Sequence, residues 1–160
     1  MQEDVCELQC LRGRVRLTDS PHNTVLPKDR YRSRQRDQYR SFATLSVEVY
    51  DLSLARGIHL WPMGSDELPL ADFMWVLANR RHGWSGALTW VDASGTVTLA
   101  AVHDGIDHVG VKVTAFSYGV EDELVLGVGS NGWRAEAVFT IGTWRLEDNA
   151  RAVSAFLIGQ

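Results

Sequence analysis

The stretch LPLADFMWVLANRRHGWSGALTW, residues 68–90, decides the fold. Leu70, Phe73, Met74 and Leu77 recur at helical spacing, and Trp75 and Val76 widen the stripe. A helix apolar around most of its circumference is covered on more than one side. Asp66 and Glu67 stand where unpaired first-turn N–H groups favour acids, and Pro69 loses nothing by lacking an N–H there. Arg80, Arg81 and His82 suit the negative end of the dipole, and Gly83 is a natural stop. These signals predict a central helix over residues 68–81. Gly83-Trp84-Ser85-Gly86 then sets a large ring between two glycines, ahead of Trp90. Trp84 either packs over the helix end or stands out as an aromatic anchor for a partner.

The rest of the chain reads mainly as sheet. Residues 5–17 alternate, with Leu11, Gly13, Val15 and Leu17 set between arginines. Residues 42–52 alternate again, with Leu45, Val47 and Val49 on one face, and residues 54–61 suggest a partner strand. After Gly86 come strands at 87–91, 96–103 and 108–117, joined by Asp- and Gly-rich turns that make them antiparallel. Residues 118–132 read as a short strand or a long loop. Trp133, Ala135, Ala137, Phe139 and Ile141 share one face of a last strand. Leu146, Ala150, Val153 and Leu157 mark a closing helix over 144–157, with Thr143 a fair N-cap. The expected fold is α+β: an antiparallel sheet of about six or seven strands, with the central and C-terminal helices packed on it.

Composition bounds the function. The 160 residues suit a single domain, 1–160, and 45% apolar with 22% charged is the globular balance. No apolar run is long enough to cross a membrane, and the N-terminus lacks the pattern of a signal peptide. Cys6 and Cys10, the two cysteines, make no disulfide framework, which points to a reduced, cytoplasmic setting. The net charge of −4 argues against a general polyanion binder. Residues 28–40 hold six basic and two acidic side chains, so they are locally +4 and the remainder is −8. There Arg30, Arg32, Arg34 and Arg36 alternate with Tyr31, Ser33 and Gln35. They form either a solvated edge or a patch for phosphate or an acidic partner.

One cluster invites a chemical reading. His103, Asp104, Asp107 and His108 put two imidazoles and two carboxylates within six residues, fit for a metal or for acid–base work. They also sit on a hairpin turn, where Asp and Gly serve the turn itself. No nucleophile elbow, phosphate loop or zincin motif is present, and Gly127 to Gly132 precedes a strand rather than a helix, unlike a dinucleotide loop. No cofactor is expected.

The order of features resembles a bacterial, mainly actinobacterial family, domain of unknown function 6228. The resemblance rests on Val47-Glu48-Val49, Leu70 and Phe73, then Gly83-Trp84-x-Gly86-x-x-x-Trp90. It continues with Leu99-x-Ala101-x-His103-Asp104, His108-Val109-x-Val111, the Trp133 strand and Ala155-Phe156-Leu157. It implies the fold but no activity and no catalytic residue. The leading expectation is a small cytoplasmic binding protein with a protein partner, of the immunity type that neutralises a toxin; a homodimer is compatible with it. The alternatives are a metal-dependent enzyme using the 103–108 hairpin and a nucleic-acid binder using the arginine-rich segment.

Overall fold

Among the described residues, alternating apolar and polar residues produce eight strands and, at helical spacing, two helices. The computed structural model describes residues 4–19, 40, 42–61, 68–117 and 132–159. Strands β1 (Val5–Leu8), β2 (Arg14–Asp19), β3 (Phe42–Val49) and β4 (Leu52–His59) form one antiparallel sheet in that order. Helix α1 (Leu70–Asn79) leads to a second meander of β5 (Ala87–Val91), β6 (Val97–His103), β7 (His108–Ser117) and β8 (Trp133–Gly142). A 3-10 turn, Thr143–Arg145, precedes α2 (Leu146–Leu157).

The single sheet of six or seven strands is therefore corrected to two sheets of four. The cause lies at residues 9–13. Residues 5–17 do not run as one strand; the chain doubles back and pairs Leu8 with Val15. The connector instead meets β8: Leu11 N–H donates to the Thr140 carbonyl at 2.8 Å, and Thr140 N–H to that of Arg12 at 3.2 Å. Gly13 adopts φ +87° there, and a Cβ would fall 3.0 Å from Val49 and 3.1 Å from Phe139. The glycine that fits the alternation is thus the point where the two sheets meet.

The helices are shorter than the periodicity implies. Leu70 N–H bonds to the Leu60 carbonyl at 3.1 Å, so the residue that follows β4 supplies the helix start with an acceptor. Asp66 and Glu67 lie outside the described residues. Arg80 is the C-cap, and Arg81 and His82 belong to a turn closed by Gly83 N–H on the Arg80 carbonyl. Gly83 therefore comes later than a helix stop. Thr143 opens the 3-10 turn rather than capping α2, which has no side-chain cap.

One contiguous core takes residues from both sheets and both helices. The α1 helix buries Leu70, Ala71, Phe73, Met74, Leu77 and Ala78, and on another side the Trp75 indole donates to Ser154 Oγ of α2 at 3.0 Å. In α2, Leu146, Ala150, Val153 and Leu157 are buried as the stripe predicts, joined by Phe156 and Asn149. Asn149 holds both main-chain groups of Gln9, at 2.8 and 3.2 Å. The core encloses a cavity of about 20 Å³ lined only by apolar side chains, too small for a ligand and too apolar to hold water. Trp133 departs from the expected inward face: it is 43% exposed, with the Arg56 guanidinium 5.5 Å from its ring.

The strand registers and the contact of His59 with Asp92 set Asp19, Phe42, His59, Asp92 and Ser117 at one pole of the molecule. The β6–β7 hairpin lies at the opposite pole, beside the ends of α1 and β8. No helix among the described residues is long and apolar enough to cross a membrane.

Candidate functional site

The four chemically suggestive residues of the hairpin separate into one that turns inward and three that stay at the surface. His103 closes β6 with its side chain wholly covered. Its Nε2 donates to the Arg81 carbonyl at 2.9 Å, and its Nδ1 accepts Gly105 N–H at 2.8 Å. Both nitrogens are thus occupied, and no lone pair remains for a metal. The histidine ties the end of α1 to the hairpin. Trp84 completes this packing, with its ring edge-on to His103 at 5.1 Å and its indole N–H on the Ala101 carbonyl at 3.2 Å. Gly86, at φ +74°, turns the chain into β5. Trp90 is buried and donates to the Leu68 carbonyl at 2.8 Å.

Asp104 is exposed and organises the turn. Its Oδ1 accepts the main-chain N–H of Ile106, Asp107 and His108 at 2.7, 3.0 and 3.1 Å. These bonds, that of His108 foremost and then that of Ile106, hold its carboxyl well below the usual range, at about 2. His108 Nδ1 lies 3.2 Å from Asp104 Oδ2 and 2.7 Å from Asp107 Oδ1. One ligand atom from each of Asp104, Asp107 and His108 falls within 4.8 Å of the others.

The apolar part of this surface did not figure among the sequence candidates. Ile106, at the hairpin tip, is 79% exposed, and Trp144 is 55% exposed with its ring edge-on to His108 at 6.0 Å. Thr143 N–H donates to the Asp107 carbonyl at 2.9 Å, which fixes the 3-10 turn to the hairpin. Trp144 also lies against Gly142, where a Cβ would come within 2.5 Å of the indole. The signal available in advance was the Gly142-Thr143-Trp144 sequence itself, a large ring two residues after a glycine.

A second polar cluster marks the other pole. Asp92 is buried and accepts main-chain N–H groups from His59 and Ser94, the latter at 3.1 Å. The His59 ring lies 3.3 Å from the same carboxylate and stacks 4.1 Å from Phe42, tilted. Ser94 Oγ contacts Asp92 and Thr96. In sequence Asp92 reads as an ordinary turn residue, because the partner that gives it weight is 33 positions away. Burial pushes the thiols of Cys6 and Cys10 up to about 11, so neither is a thiolate at neutral pH. Arg30, Arg32, Arg34 and Arg36 lie outside the described residues.

Fold and surface together define an α+β protein in which two antiparallel meanders and two helices share one core, with an acidic hairpin and an exposed tryptophan at one pole. The chain belongs to the family of unknown function DUF6228, which matches residues 17–158. No curated protein and no solved structure matches it.

Proposed function

We propose that this chain is a non-catalytic protein-binding module whose contact surface is the 104–108 hairpin with Trp144. The observation that carries the reading is two large apolar side chains, Ile106 and Trp144, held in the open on a rigid frame beside two carboxylates. Interfaces draw most of their affinity from a few such anchors, and an aromatic ring fixed in advance loses little entropy on binding. The acids favour a basic partner. The specific form we propose is an immunity-type protein of the bacterial cytoplasm that covers a basic toxin. Tagged wild-type chain and the Ile106→Asp and Trp144→Ala variants are compared as bait in native lysate. A stoichiometric partner held by wild type and lost by both variants, at unchanged melting temperature, supports the reading. Equal capture by all three overturns it.

The convergence of Asp104, Asp107 and His108 favours a second reading, a divalent-cation site serving an enzyme. Its weakness is that Asp104 Oδ1 already accepts three N–H groups. Calorimetric titration with zinc decides it: binding lost in His108→Ala supports the site, and no heat at millimolar zinc removes it.

A further inference from the structure

The second sheet ends in a strand that nothing among the described residues covers. Among the described residues β5 pairs with β6 alone. Asp92 N–H donates to the Val97 carbonyl at 2.9 Å, which fixes the phase of the ladder. Leu88 and Trp90, two and four positions back, therefore bond to β6. The main-chain N–H and C=O groups of Ala87, Thr89 and Val91 point off the sheet, and none of them has a partner among the described residues. All three residues are exposed. Natural edges are usually guarded by charge, proline or a bulge. Ala87-Leu88-Thr89-Trp90-Val91 has none of these.

We infer that β5 is a self-association edge, where a second copy of this chain adds its own β5 antiparallel to the first. The free groups are symmetric about Thr89. A two-fold axis through that residue sets Thr89 opposite Thr89 and Ala87 opposite Val91 of the second copy. All three N–H and all three C=O groups on each chain are then satisfied. Charge fits the same occupant. Two chains of net charge −4 repel at long range, so a self-contact belongs where charge is absent. Neither β5 nor the neighbouring outward positions Thr98, Ala100 and Val102 on β6 carries a charge. The exposed Val91 and Val102 gain cover at no electrostatic cost. The two four-stranded sheets become one of eight strands, and the hairpin with Trp144 takes no part in the pairing. Five residues a side bury little area, so the dimer is weak and concentration-dependent.

Sedimentation of the full chain up to millimolar concentration tests this. Wild type should double in mass, and Thr89→Pro should stay monomeric at an unchanged melting temperature. The Thr89 N–H faces away from β6, so proline there removes no bond within the chain. In a Cys10→Ser background, Thr89→Cys should form an intermolecular disulfide on mild oxidation, because hydrogen-bonded antiparallel pairs hold their Cα atoms about 5.5 Å apart. Val102→Cys, one strand away from the axis, should not. If Thr89→Pro fails to fold, the pair of cysteine variants decides. A wild type that remains monomeric at millimolar concentration overturns the inference. So does a dimer that Thr89→Cys does not cross-link.

Discussion

Asp104 illustrates how a residue chosen for possible chemistry is held by its own main chain. Its three N–H donors stabilise the ionised form, so the carboxyl that ordinarily titrates near 4 does so at about 2 in the folded chain. A folded value depressed below the unfolded one adds stability above about pH 4, and that stability drains away as pH falls toward 2. Asp104→Asn keeps an acceptor oxygen but cannot titrate. The stability gap between wild type and this variant should be largest above about pH 4 and shrink toward pH 2, read from urea midpoints at stepped pH. Parallel curves would mean that the three bonds do not favour the charged form. Sequence spacing readily put His103, Asp104, Asp107 and His108 on one turn. Alternation also puts His103 on the buried face of β6 with Val97, Leu99 and Ala101; what spacing did not reveal is that the Arg81 carbonyl and the Gly105 N–H occupy both its nitrogens.

The elements were the most readable part of the chain. Period-two alternation located β3 through β8 to within a few residues, and the stripe of α2 fell on buried positions. Alternation failed at Gly13, where a residue compatible with a strand serves as a crossing point. Its φ of +87° is one that side chains other than glycine rarely adopt, and the space for a Cβ is closed by Val49, Phe139 and the Glu48 carbonyl. Gly13→Ala should therefore destabilise by about 2–4 kcal/mol, from left-handed strain plus overpacking. Gly95→Ala is the control, since Gly95 has positive φ but open space around it. It should lose only the conformational part, about 1 kcal/mol. Equal losses in the two variants would show that the sheets do not close tightly on residue 13.

How the two sheets are joined was not readable at all, since the links between them among the described residues span long stretches of sequence. Arg12 meets Thr140, Arg56 meets Trp133, and His59 meets Asp92. The last pair gives one molecule-wide prediction. The buried Asp92 carboxylate is the acceptor that draws the end of β4 onto the β5–β6 turn, and it also serves the N–H of Ser94. Asp92→Ala takes the acceptor from the half-buried His59 N–H and from the more exposed Ser94 N–H, and a buried donor left unsatisfied costs about 1–3 kcal/mol. The variant should lose about 1–3 kcal/mol overall, most of it from the His59 side. Because both sheets feed one core, the loss should appear as a single cooperative transition at lower denaturant, with an unchanged slope. Native-state hydrogen exchange should find the amides of His59 and Ser94 opening together in the variant, while those of the β6–β7 hairpin at the far pole keep their order of protection. Two separated transitions would mean that the sheets are independent units, and that Asp92 merely shapes its own turn.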